Sequence, residues 1–398
     1  MIASLPMPVV ANNRSNHALH VLTLTPFYPS LQDDAQGCFV AEPLPAVEQH
    51  GIVNTVLAVQ PFYRARSDAS TSVFPAHRTR FPALPSGFGL PSSGAFLFAS
   101  ILRRVRRIHR FNPVHVIHAH AAQPCGHAAV LLSRELRIPF VVTVHGLDAF
   151  STNQVGGYAG RWCKRISQWV YRSAKTVICV SEKVRDQVLA DAAAPVHTTV
   201  IYNGVDPEAF SPAKDDAAST VILSVGNLIP TKGHDLLLRA FAAVDQRFPD
   251  SSCEIIGDGP ERSRLRALAV ELDIGEKVRF LGRRSRSQVA DAMRHCALFA
   301  LPSRDEALGC VYLEAMSAEK PVIACRGQGI EEIVQHRNNG WLVDPNNMQE
   351  LTEALFVLLK DAELQRRLGD EARQTILQGF TLAHQAERLA RLYQECRE

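Results

Sequence analysis

Short apolar runs recur along this chain at residues 20–25, 53–59, 114–119, 140–144 and 177–180, each followed by a loop. Segments with apolar residues three or four apart follow them, around 39–50, 128–136, 161–172 and 182–189. Runs apolar on both faces predict buried strands, and their alternation with amphipathic helices predicts a parallel sheet covered on both sides. The pattern then breaks at 200–212, VIYNGVDPEAFSP, where Asn-Gly, Asp-Pro and Ser-Pro steps predict a linker. It resumes at 221–224, 253–256, 278–281, 297–301, 321–324 and 341–343, and residues 363–398 are nearly all helix formers. The expected architecture is therefore α/β, with a loose extension at 1–18, a first doubly wound domain at 19–212 and a second at 213–378. Open α/β sheets bind ligands beyond the carboxyl ends of their strands, so two facing halves predict a cleft with one substrate on each side.

Composition narrows the function classes. With 398 residues, 46% hydrophobic and 21% charged, the chain is long enough for two cores and reads as globular. A net charge of +3 does not point to nucleic acid as a partner. Nine cysteines show neither a Cys-x-x-Cys pair nor zinc spacing, which predicts free thiols in a reducing cytosol, with Cys179, Cys253 and Cys325 in the core. No stretch resembles a secretory signal or has the length to cross a bilayer, so a cytoplasmic protein is expected, soluble or peripheral on the cytoplasmic face of a membrane. The segment 94–111, GAFLFASILRRVRRIHRF, interleaves apolar residues with five arginines. It reads either as a basic amphipathic helix on an anionic membrane surface or as a solvated face packed on the first sheet.

The stretch 299–316, FALPSRDEALGCVYLEAM, holds the candidate chemistry. It predicts a strand, a loop carrying Glu306 and a helix from Gly309 that carries Glu314. The first amides of such a helix, at Leu308, Gly309, Cys310 and Val311, suit a diphosphate, and glycine allows close approach. Each carboxylate accepts hydrogen bonds from a vicinal diol, so one glutamate suits a ribose and the other a hexose. The alternative is a solvated helix residue and an unrelated loop charge.

In SVGNLIPTKGHDLLLRAF, 224–241, Gly226 ends a strand and Lys232 stands at a helix start, where a cation is unfavourable unless an anion lies beside it. Alone it reads as a surface lysine. His145 and Asp148 follow the strand 140–144. His118 and His120 also end a strand, but no third ligand at a telling spacing supports a metal site.

The segment 303–324, SRDEALGCVYLEAMSAEKPVIA, resembles the Glu-x7-Glu motif of retaining GT-B glycosyltransferases, the large group called family 4. The resemblance covers nearly the whole chain after residue 18. It implies two Rossmann-like domains facing a central cleft, with a last helix, 379–398, crossing back to the first domain. It implies transfer of a sugar from a UDP-, GDP- or ADP-linked donor to a carbohydrate or lipid-linked acceptor, with retained configuration and no bound metal or other cofactor. In that reading Glu306 holds the transferred sugar, Glu314 the ribose and Lys232 the diphosphate. His145 donates a hydrogen bond to the sugar, and Asp148 shapes the acceptor side. Gly37, Gly226, Asn227 and Leu281 join the helix amides around the donor.

The chain departs from the pattern at Asn227, where an arginine is usual; Arg304 or Arg326 is then expected to meet part of the diphosphate charge. Ala307-Leu308-Gly309 also replaces Gly-Phe-Gly. The alternatives are a non-catalytic nucleotide-sugar binding module and a nucleotide-sugar epimerase of the same shape.

Overall fold

The computed structural model describes residues 18–31, 33–63, 74–84, 89–146, 155, 157–213 and 219–397. The first sheet contains β1 (Leu19–Thr25), β2 (Ile52–Pro61), β3 (Ala76–Phe81), β4 (Val116–His120), β5 (Phe140–Val144), β6 (Thr176–Cys179) and β7 (Thr198–Val200). The second contains β8 (Val221–Val225), β9 (Ser252–Ile256), β10 (Val278–Gly282), β11 (Leu298–Ala300), β12 (Val322–Cys325) and β13 (Trp341–Val343). Every described pairing is parallel, in the orders β3-β2-β1-β4-β5-β6-β7 and β10-β9-β8-β11-β12-β13. This is the expected two-lobed Rossmann-like architecture. In each sheet the order reverses between two neighbours, β1 and β4 in the first and β8 and β11 in the second, and a crevice opens at their carboxyl ends.

The central strands β1, β4 and β5 are buried along their whole length, as continuous apolar runs require. The edge strands β3 and β7 are half-exposed and polar, which is why no apolar run announced them. Segment 94–111 lies in the helix Leu90–Phe111, whose Leu97, Ile101 and Val105 are fully buried in the first core. Its apolar side is spent on the lobe and its arginines face outward.

The last helix, Leu382–Arg397, packs on the first sheet, as expected. Leu389, Leu392 and Tyr393 bury against Leu19, Val21, Val116, Val141 and Ile178. Such leucines each stabilise the contact by about 1.5–3 kcal/mol. The Tyr393 hydroxyl bonds His118 Nδ1 at 2.6 Å, and Lys175 holds the last turn through the Glu395 and Cys396 carbonyls. Two crossings between the lobes run side by side. Val205 bridges Thr381, and a side chain at Gly204 would lie 2.4 Å from the Thr381 carbonyl oxygen. All nine cysteines are free, and Cys179, Cys253 and Cys325 are buried as expected.

Candidate active site

Loops after the switch-point strands build the second-lobe half of the site. After β8 the chain passes Gly226 and Asn227 into a 3-10 turn, Pro230–Lys232. Gly233 follows at φ 70°, and a Cβ there would meet the Pro302 carbonyl oxygen at 2.2 Å. The β8 loop is thereby pressed against the β11 loop, and the Arg304 amide donates to the Thr231 carbonyl at 2.7 Å. Because β8 and β11 are neighbours, this contact brings Lys232 Nζ within 2.5 Å of Glu306 Oε2. Both side chains are largely sheltered, at 18% and 13% exposure. Lys232 therefore stands beside the helix His234–Asp245 in the turn that precedes it.

The helix Cys310–Ser317 begins at Gly309, whose φ of 85° suits only glycine; a Cβ there would lie 2.6 Å from the Tyr312 ring. Tyr312 is fully buried and donates its hydroxyl to the Leu301 carbonyl, which fixes the first turn on the end of β11. Among the described residues no side chain caps this helix, so its first-turn N–H groups suit an anion. Leu308 is buried, Val311 is half-buried, and the Cys310 sulfur accepts from Asn203 Nδ2 at 3.3 Å. Leu281, at the end of β10, is half-buried and packs against a core cluster that includes second-lobe residues.

Glu314 is 3% exposed. Its Oε1 accepts from Arg286 Nη1, and its Oε2 is buried with no partner among the described residues. Arg286 also reaches across the cleft to Glu42 at 2.9 Å, and stacks 4.8 Å over the Phe210 ring. The Asp34 carboxylate accepts from the Arg286 amide at 3.0 Å, which caps the helix Arg286–His295 from the first lobe. Burial holds Glu42 above its ordinary carboxyl range, with Arg286 opposing that rise.

In the first lobe, Gly37 takes φ 74°, and a Cβ there would sit 2.4 Å from the Phe27 carbonyl carbon. Phe27 and Phe39 both pack on His145, the latter at 4.6 Å between ring centroids. His145 Nε2 meets His120 Nδ1 at 2.9 Å, and His118 engages Thr143 Oγ1 at 2.7 Å as well as Tyr393. Burial drives His118 and His145 down to about 3 and His120 well below its usual value, so the three imidazoles are neutral near pH 7. Asp148 lies outside the described residues.

Residues 14–209 match the family description Glycosyltransferase Family 4, and residues 206–375 match Glycosyl transferases group 1. This chain is a GT-B glycosyltransferase of group 1, with a family 4 first lobe. An uncharacterized glycosyltransferase of Methanocaldococcus jannaschii is 33% identical over 66% of this chain and 70% of its own. The alpha-D-kanosaminyltransferase of Streptomyces kanamyceticus is 26% identical over 87% of this chain and 95% of its own. The sucrose-phosphate synthase of Thermosynechococcus elongatus superposes with a TM-score of 0.77 at 20% identity, covering 95% of this chain and 98% of that one. Anabaena Alr3699/HepE in complex with UDP-glucose gives 0.73 at 22% identity, covering 95% of this chain and all of that one.

The glycosyltransferase brings some expected residues together and keeps others apart. Lys232 meets Glu306, and Arg286 ties the helix behind Gly309 to the turn that begins at Gly37. Both arginines expected to compensate for Asn227 carry ion pairs, and Arg304 keeps a buried Nε with no partner among the described residues. Arg304 is paired with Asp235 at 2.9 Å, and Arg326 with Asp344 and Glu350 at 2.9 and 3.0 Å.

Three contacts across the cleft had no local signal. Arg286 sits in the polar run RRSRSQ, where only the Ser285/Gln288 capping box is legible. Lys183 donates to Gln328 Oε1 at 2.6 Å and to the Glu306 carbonyl at 3.3 Å. The Ser181 hydroxyl donates to the Ala307 carbonyl at 2.6 Å.

Proposed function

We propose that this glycosyltransferase moves a hexose from a nucleoside diphosphate sugar to an acceptor hydroxyl with retained anomeric configuration and without a metal ion. The observation that carries the reading is the Lys232–Glu306 pair beside the uncapped helix that buries Glu314. The helix amides and Lys232 would take the diphosphate, in the role a divalent cation plays elsewhere. Glu314 Oε2, buried without a partner, suits a ribose hydroxyl as donor. Glu306, held by Lys232, suits the hydroxyls of the transferred sugar, and neutral His145 is assigned as a hydrogen-bond donor to that sugar. Asp148 is assigned to the acceptor side.

The bond from the anomeric carbon to the diphosphate oxygen breaks through an oxocarbenium-like state, and the acceptor oxygen attacks from the same face. Its proton passes to the departing phosphate oxygen. Stabilising that leaving group is the main electrostatic task, and Lys232 is the side-chain cation assigned to it. A protein of the same fold has been solved in complex with UDP and with UDP-glucose, so UDP sugars are the first donors to try, and assembly of a polysaccharide or glycolipid in the cytoplasm is the setting proposed for the reaction.

Donor hydrolysis and binding of UDP, GDP and ADP sugars test the reading. Glu306→Gln is expected to lose turnover at least about 100-fold while nucleotide affinity changes by less than about threefold. Equal losses in both would make Glu306 a nucleotide ligand and overturn its assignment to the sugar.

A further inference from the structure

The first lobe exposes large apolar side chains at one end. Phe62 and Tyr63 follow β2, and Leu84 follows β3. Phe96 lies in the second turn of the helix that starts at Leu90, and Tyr158 and Trp162 in the first turns of Gly157–Ser173. All six issue from the carboxyl end of the first sheet, the end that carries the cleft. Tyr158 is 85% and Trp162 53% exposed. Isolated exposed hydrophobics need no explanation, but five aromatics and a leucine from four separate segments at one end do.

Charge accompanies them. The helix Leu90–Phe111 carries five arginines and Gly157–Ser173 three arginines and a lysine, and neither contains an aspartate or glutamate. Both pack on the same face of the first sheet through Leu97, Ile101, Val105 and Val170. Their outer faces therefore share one side of the lobe. Phe96, Ser100, Arg103, Arg107 and Arg110 follow one another at three- and four-residue spacing and are all exposed. Arg161 stacks 4.4 Å over Tyr158. Two described carboxylates near this side are ion-paired, Glu135 with Arg106 and Asp191 with Lys164.

We propose that this aromatic and basic face docks the glycosyltransferase on an anionic lipid bilayer, with the rings at headgroup level and the arginines against the lipid phosphates. Tyrosine and tryptophan favour that depth, and clustered arginines supply the attraction. The docking does not use the apolar side of the helix Leu90–Phe111, which is buried in the lobe. It deepens the transferase reading, on which it rests for its purpose, because a bilayer at this end would present a lipid-linked acceptor to the cleft.

The full chain is mixed with vesicles of phosphatidylcholine, or of phosphatidylcholine and phosphatidylglycerol in equal parts, and sedimented. Binding is expected only with the anionic vesicles, with a blue shift in tryptophan emission that Trp162→Phe removes without abolishing binding. Arg161→Glu/Arg165→Glu should weaken partitioning on the order of 30-fold or more, from about tenfold or less per lost cation plus repulsion. Circular dichroism and donor hydrolysis without vesicles should stay unchanged in that variant. Absence of binding, equal binding to neutral vesicles, or binding indifferent to the double variant overturns the proposal and leaves the hydrolysis result standing. A dimer by light scattering that Tyr158→Ser/Trp162→Ser dissociates, without vesicle binding, would also overturn it by making the face a contact between copies.

Discussion

Arg286 offers a direct test of how the two lobes are held at the donor site. Its guanidinium is 18% exposed and bonds Glu314, whose side chain is 4% exposed, as well as Glu42. Arg286→Met keeps the volume over Phe210 but strands a buried carboxylate, a change that costs about 3–5 kcal/mol. Glu42, at 22% exposure, retains solvent and adds at most about 1 kcal/mol. Glu314→Gln leaves Arg286 paired with Glu42 and should cost only about 1–2 kcal/mol. The double variant buries no orphan charge at 314, so it should recover at least about 2 kcal/mol of the summed single losses. Urea unfolding followed by tryptophan fluorescence reads this out. With a slope near 3 kcal/mol per molar, Arg286→Met should lower the midpoint by about 1 M or more. Single effects that add to within about 0.5 kcal/mol would show that Arg286 and Glu314 share no energy and would refute this reasoning.

Two further outcomes are expected. Burial, then the neighbouring Lys232, lowers His234 from 6.5 to about 4, so folding favours its neutral form. Its contribution is complete above pH 6.5 and is lost as pH falls from there toward 4, by up to about 3 kcal/mol. Urea midpoints taken across this window should fall less steeply in His234→Gln, and an unchanged slope would refute the assignment. Gly309→Ala forces a Cβ into the Tyr312 ring and within 3.0 Å of Glu306 Cγ. It should cost roughly 1–3 kcal/mol in stability and also weaken donor binding by calorimetry; a wild-type binding isotherm would argue against a helix start shaped for the donor.

Much of the fold was legible in the chain. Buried strands with two apolar faces and amphipathic helices have periods that local sequence records, so both αβ series could be read directly. So could the helix after Gly309, since glycine, an apolar face and the spacing of Glu306 and Glu314 are local properties. The edge strands Ala76–Phe81 and Thr198–Val200 could not, because half-exposed strands carry no continuous apolar run. Tertiary structure alone decided who meets whom. Lys232 and Glu306 lie 74 positions apart and pair because β8 and β11 are neighbours at the point where strand order reverses. Arg286 finds Glu42 across 244 positions because the lobes face each other, and in doing so it occupies one oxygen of Glu314 and leaves the other unpartnered. Strand order and lobe packing arise from the burial of many side chains at once, so no short window of the chain can encode them.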